Sequence, residues 1–199
     1  MKKNVSLFAV IVFLMASCYP NGPTSYEELD LVYTNYSKSY DFASKGTYSM
    51  PDKIVKVTGN LNEGEDPEFV KEPYNTQILN RIESNMSSLG WTKVDDPENA
   101  DLALFPAVWT NTTIYYWYDY WCWYYYWYCG WGYYYPGYVS SYTTGTLLMA
   151  LVSAGDESVD PYVVWTGIAN GVATGSYSAT RVNDAIDQAF KQSPYLDTK

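Results

Sequence analysis

The residues that could carry chemistry in this chain are few, and one type is missing. There is no histidine. That excludes Ser-His and Cys-His nucleophile pairs, imidazole metal ligands and an imidazole pH switch. The carboxylates offer an adjacent pair, Asp95 and Asp96, and more isolated acids at Asp119 and Asp156. Glycoside hydrolysis needs two carboxylates facing each other across a cleft, and an acid–base pair needs neighbours that desolvate or tune it. Asp95 and Asp96 sit in a turn-forming DDPEN run with no such neighbours, and Asp119 and Asp156 belong to no visible constellation. Asn60 to Glu68 (NLNEGEDPE) is acidic, but it lacks the alternating oxygen ligands and distal Glu of a calcium loop and reads as a solvated loop. No catalytic residue, metal ligand or cofactor follows from these patterns.

The conspicuous stretch is Ile114 to Tyr138, IYYWYDYWCWYYYWYCGWGYYYPGY. It concentrates the chain's Tyr and Trp and carries a single charge, Asp119. Flat rings with polar tips suit sugar faces and protein interfaces. The candidate binding platform is Trp117, Tyr120, Trp121, Trp123, Tyr125, Trp127, Trp131 and Tyr134. Four readings compete. The stretch is a self-packing insertion, a platform for a glycan, peptidoglycan or an envelope protein, a membrane-interface contact, or the substrate-holding part of a glycan-processing enzyme whose acids lie elsewhere. A true transmembrane helix conflicts with Asp119 and so many phenol hydroxyls.

Cys122 and Cys129 stand inside this stretch and are the disulfide candidates in an oxidising compartment. Closing so short a loop contributes about 2.5 kcal/mol in the chain-entropy model. Their odd separation would put them on opposite sides of one continuous strand, so a bridge requires a turn between them. Trp123 to Tyr128 lacks Gly, Pro, Asn and Asp, the usual turn formers. Either a bridge forces a wide aromatic loop, or the chain turns at Gly130-Trp131-Gly132 and the thiols pair otherwise.

The third cysteine closes the leader MKKNVSLFAVIVFLMASC. Lys2 and Lys3 form a basic start, Val5 to Met15 an apolar run too short to span a membrane, and Ala16-Ser17 precede Cys18. This resembles a lipoprotein signal, with residues 1–17 removed and Cys18 acylated. Tyr19 is not the Asp associated with inner-membrane retention, so the expected location is the outer membrane, on either face. Residues 18–28 read as a tether. The net charge is −10, and removal of Lys2 and Lys3 makes it −12. Such a balance disfavours nucleic acid and docking on anionic lipid through a basic patch. The expected partners are a membrane, through the lipid, and a glycan, peptidoglycan or envelope protein.

The elements that must position the aromatic stretch fall in a single domain, residues 29–199, with the insertion at about 111–143. Strands are predicted at Leu29–Ser37, Gly46–Met50 and Lys53–Val57. Ile78, Ile82 and Met86, with Leu79 and Leu89, predict a helix over residues 73–89, stopped by a left-handed Gly90 with Trp91 packing back on Met86. Ala100–Trp109 is a further strand, with Pro106 implying an edge or a bulge. Gly145–Ala154 is apolar on both faces and reads as a central strand. Tyr162–Val172 returns beside it. Thr180 caps a last helix whose stripe is Val182, Ala185, Ile186, Ala189 and Phe190, with Pro194 beyond its end. The order predicts an α+β fold: a mostly antiparallel sheet with two helices packed on one face, and the long aromatic insertion between two strands.

Several pieces resemble a known family. Tyr40-Asp41-Phe42 through Lys45-Gly46-Thr47-Tyr48, Leu89-Gly90-Trp91, Glu98-Asn99-Ala100-Asp101-Leu102, Gly145-Thr146-Leu147, Val164-Trp165-Thr166-Gly167 and the Val182–Phe190 helix resemble, in that order, the bacterial lipoproteins grouped as domain of unknown function 4136. Ser153-Ala154 and Thr166 depart from the polar residues common there. The resemblance implies a fold, an envelope location and an aromatic loop at this place, and it implies no activity. The function expected is that of a lipid-anchored envelope protein with a binding or structural role, not an enzyme.

Overall fold

The computed structural model describes residues 30–58, 67–109, 145–153, 162–172 and 177–199. The two runs that are apolar on both faces form its centre. They become β6 (Leu102–Trp109) and β7 (Thr146–Ser153), paired antiparallel in unbroken register from Leu102 opposite Ser153 to Trp109 opposite Thr146. Strands of this kind need partners on both edges and cover on both faces. On its far edge β7 takes β8 (Tyr162–Asn170), and β8 takes β1 (Leu31–Tyr36), both antiparallel. A bulge inserts Val164 between the pairs Leu151–Trp165 and Val152–Val163.

The other edge of β6 is divided. β2 (Thr47–Ser49) runs parallel to its first residues and β3 (Val55–Val57) parallel to its last. The two-residue strands β4 (Glu68–Phe69) and β5 (Thr92–Lys93), not anticipated from the sequence, pair with β3 and β2. The path is β1-β8-β7-β6-β2-β5, with β3 and β4 beside the end of β6. The four long strands are antiparallel and the parallel pairs are short. The insertion therefore lies between β6 and β7.

Pro106 occupies neither an edge strand nor a bulge. It faces Met149 inside the continuous β6–β7 register. A residue without N–H fits there only as a non-hydrogen-bonded pair, so its nitrogen points to the opposite edge. There β2 stops opposite Ala103 and β3 starts opposite Ala107, so no ladder bond is lost.

Among the described residues, the two α-helices lie on one face of the sheet. α1 (Tyr74–Ser88) contributes Ile78, Leu79, Ile82 and Met86 and α2 (Ala179–Lys191) contributes Val182, Ala185, Ile186, Ala189 and Phe190 to a core shared with Leu102, Leu104, Leu147, Met149 and Leu151. The Arg81 guanidinium grips the Asp187 carboxylate with two nitrogens, and Asn85 Nδ2 donates to the same group at 2.9 Å, fixing the helix pair. The cap of α2 is Ser178, whose hydroxyl accepts the Arg181 N–H, and not Thr180, which lies inside the first turn. The hydroxyl two residues earlier meets that N–H because the backbone is still extended there.

Two glycines are forced by packing. Gly90 has φ +94° and ends α1, with Gly90 N–H bonded to Ser87 O and Trp91 N–H to Met86 O, both reversed bonds of the expected stop. Trp91 is buried in the same core as Met86, and its Nε1 donates to Leu196 O at 2.8 Å, so the same joint holds the C-terminal segment. Any Cβ at Gly90 would meet Thr198 Oγ1 at 2.6 Å. At Gly167 the reason is Trp165, two residues earlier on the same face. A Cβ there would meet the Trp165 ring at 2.7 and 2.9 Å. The indole itself is wholly buried and donates to Ser193 Oγ at 2.8 Å.

Gly90→Ala is expected to lower stability by at least about 1–2 kcal/mol, the cost of a left-handed residue with a Cβ. Gly167→Ala should also destabilise, through displacement of Trp165. Gly46→Ala, which meets nothing within 4 Å, is the matched control and should stay within about 0.5 kcal/mol. Urea denaturation midpoints of the three variants check this.

Candidate functional site

The residues nominated as a binding platform, Trp117, Tyr120, Trp121, Trp123, Tyr125, Trp127, Trp131 and Tyr134, lie outside the described residues, as do Cys18, Cys122 and Cys129. What the fold defines is the frame from which the insertion departs and the sheet face beside it. β6 ends at Trp109 and β7 begins after Gly145, and Gly145 N–H donates to Trp109 O at 2.7 Å. The two ends of the insertion are thus tied together on two buried central strands.

Cross-strand register shows what else shares that end of the sheet. Trp109 faces Thr146 on one side and Val57 on the other. The Thr146 hydroxyl donates to Asn170 Oδ1 at 2.8 Å, and Asn170 faces Leu31. The chain therefore reaches β1, through Asp30, at the end of the sheet where the insertion leaves.

The face opposite the helices carries an apolar row across its width. One row reads Tyr33, Ile168, Leu148, Ala107, Val55, Phe69, each residue opposite the next. Val55, Val57, Ala103, Phe105, Ala107, Trp109, Leu148 and Val152 form a second core, separate from that of the helices. These eight are only 0–9% exposed, whereas Tyr33 and Leu31 on β1 are 48% and 66% exposed. Neither helix contributes a residue to this second core. Thr166, where the sequence departs from the family pattern, faces Ala150 and Asn35 on this side.

Several charged groups act as joints. Asp96 caps the turn Pro97–Asn99, its Oδ1 accepting Glu98 N–H at 3.0 Å and its Oδ2 accepting Asn99 Nδ2 at 2.7 Å, while Asp95 is an exposed neighbour. Asp101, which carries no signal beyond its place in the family pattern, does more. One of its oxygens accepts from Gly46 N–H, Thr47 N–H and Thr47 Oγ1 at 2.8–2.9 Å, and its own N–H donates back to Thr47 Oγ1. Burial opposes ionisation of Asp101. The Gly46 and Thr47 donors and the Lys45 charge outweigh it and hold the carboxyl below its usual range. Asp187 is held low chiefly by its hydrogen bonds from Arg81. A third pair, Arg181 with Asp30, is nearly buried, and Arg181 Nη2 also donates to Gly171 O at 2.9 Å. It straps the start of β1 to the end of β8 and to α2. Among the described residues no cluster of His, Cys, Asp or Glu is arranged to hold a metal ion.

Gly46-Thr47 and Asp101, Gly90-Trp91, and Trp165 with Gly167 are thus three joints of one scaffold, and all belong to the pieces noted in the sequence. The family model for a domain of unknown function, DUF4136, matches residues 32–195. This chain belongs to the DUF4136 family. A DUF4136 family protein from Bacteroides thetaiotaomicron, known from a crystal structure, is 30% identical, with a TM-score of 0.63 over 85% of this chain and 98% of its own. A PelC dodecamer from Paraburkholderia phytofirmans is more distant, at 11% identity and TM-score 0.43 over 85% of this chain and 99% of its own. No curated protein matches the chain. The pieces that resemble the family thus build the scaffold.

Because Asp101 is held low in the folded state, it contributes stability above its unfolded value of about 3.9, and that contribution disappears as pH falls through its folded value. Asp101→Asn should therefore lower the urea midpoint at pH 7. The gap to the parent protein should close as pH is taken below about 4. Midpoints of both proteins measured across that range check the sign.

Proposed function

We propose that this DUF4136 member is a lipid-anchored protein of the bacterial envelope with a binding or structural role, and that residues 114–138 present a recognition surface for a glycan, peptidoglycan or an envelope protein. The observation that supports it is the frame: the insertion springs from two buried, fully paired strands whose ends are tied by the Gly145–Trp109 hydrogen bond. Loops held by a rigid scaffold are where binding residues concentrate, and Tyr and Trp are the favoured anchors. A Cys122–Cys129 bridge would stiffen the loop further. An enzymatic role has less support, since the described carboxylates with resolved contacts serve as caps and clamps.

A second reading, contact of the rings with the membrane interface, draws on a separate observation. The chain arrives at Asp30 at the end of the sheet where the insertion departs. Residues 18–29 span at most about 40 Å when extended. A lipid on Cys18 would keep that end of the domain near the bilayer, where Trp and Tyr partition to the headgroup zone.

Three measurements separate these ideas. Retention on peptidoglycan and glycan resins should fall when Tyr115–Tyr138 is replaced by a short turn; equal retention ends the platform reading. Protein with Cys18→Ser should bind neutral vesicles only if the membrane reading holds. Labelled palmitate should enter the parent protein in a bacterial host and not the Cys18→Ser variant; label in both, or in neither, removes the anchor.

A further inference from the structure

We infer that the open edge of β1 is a docking strand, and that its occupant is the β1 of a second copy of this chain, paired antiparallel about a two-fold axis through Thr34. β1 ends the sheet, with β8 as its one partner among the described strands. The register continues to Ser37, whose N–H donates to Val164 O at 2.8 Å. In an antiparallel pair, residues that bond to the neighbour alternate with residues that turn away from it. Leu31, Tyr33 and Asn35 therefore bond to β8, while Val32, Thr34 and Tyr36 turn their N–H and C=O groups to the open edge. The Tyr36 N–H agrees, since it donates to Asn35 Oδ1 at 3.0 Å and not to β8. Among the described residues, none bonds to the outward N–H of Val32 or Thr34.

Proteins usually blunt such an edge with short strands, charges or proline, and the other ends of this sheet follow that rule. β5 (Thr92–Lys93) and β4 (Glu68–Phe69) are two residues long, and each carries a charge, Lys93 paired with Glu83 and Glu68 paired with Lys56. β1 is six residues, LVYTNY, with neither a charge nor a proline. It is rich in the β-branched and aromatic residues that favour strand pairing. Leu31 and Tyr33 stand exposed on one of its faces.

Symmetry and charge select the occupant. In a two-fold contact, if residue i meets j then j meets i, so outward residues must meet outward residues. With Thr34 opposite itself, Val32 meets Tyr36, and both are outward. Thr34 N–H then reaches Thr34 O of the second copy and Val32 N–H reaches Tyr36 O, each bond made twice. On the exposed face Tyr33 meets Asn35, and Leu31 meets Ser37. The ends also match. α2 runs beside β1 in the same direction: Arg181 grips Asp30 at the start, and Tyr36 stacks on Tyr195 beyond the helix end. Asp184 lines the groove next to Asp30 and Val32, near that start. Lys38 follows the end of β1 and Lys191 ends α2. The two-fold turns the acidic start of one copy to the basic end of the other, whereas a parallel pair would set like charges side by side. What the aromatic insertion binds has no bearing on this edge.

A photo-cross-linking residue at position 31 of the full-length protein, made in a bacterial host, tests the pairing. It should yield a homodimer whose linked peptides join position 31 of one copy to residues 36–38 of the other. Thr34→Pro removes an outward N–H and no bond to β8, so it should lower that yield on the order of tenfold and leave the domain's resistance to trypsin unchanged. Links to a different protein, to position 31 of a second copy or to another part of the same chain overturn the inference. So does the absence of any link, or an undiminished homodimer in Thr34→Pro. If Thr34→Pro loses trypsin resistance, Tyr33→Lys decides: a charge on the exposed edge should lower the yield in the same way, and an unchanged yield refutes the pairing.

Discussion

Strand β6 has to be satisfied in four directions at once. Its eight residues are buried throughout, so each edge needs a partner and each face needs cover. β7 supplies one edge over the full length of β6. The other edge is filled by two short parallel strands, and the break between them falls where Pro106 has no N–H to offer. α1 and α2 supply cover for Leu102, Leu104 and Val108. The alternating set, Ala103, Phe105, Ala107 and Trp109, lies in the second core. The rest of the sheet, including the position of β1 and the point where the insertion leaves, follows from the placement of this one strand.

The family pieces acquire a physical meaning on this scaffold. They are joints between segments distant in sequence. Asp101 pins the Gly46-Thr47 turn beside β6. Gly90 and Trp91 stop α1, and the C-terminal segment is held there by Trp91 Nε1 on Leu196 O and by Thr198 N–H on Leu89 O. Trp165 needs the missing side chain of Gly167 to take its place against Phe190 of α2. A carboxylate held low by hydrogen bonds is a common mark of a functional site, but in Asp101 the same physics serves a structural clamp. A scaffold so tied at its joints tolerates a large insertion at the β6–β7 connection, because none of these joints lies there.

Much of the fold was legible in the sequence where the signal is local. The stripe Ile78, Ile82, Met86, the second stripe from Val182 to Phe190, and the Leu89-Gly90-Trp91 stop each depend on residues within a turn or two of one another. The division of β6's edge between β2 and β3 was not legible, since the choice of partner is made across about fifty residues and short strands carry little pattern. Ser178 in place of Thr180 as the cap is a smaller case: both hydroxyls are adequate, and the backbone dihedral decides. For the candidate site, the sequence exposed the composition of the insertion but not the apolar face beside it. Alternating residues on four strands join into one surface only when the register is known.

By itself, then, the sequence determined which segments are helices, which two strands are buried on both sides, where α1 must stop, and that the aromatic residues are gathered between β6 and β7. Each of these follows from spacing along the chain. Tertiary structure alone decided the strand order, the clamp made by Asp101, the strap from Arg181 to Asp30, and the meeting of chain arrival and insertion at one end of the sheet. Those depend on which distant residues become neighbours, and burial of β6 on all sides is the constraint that brings them together.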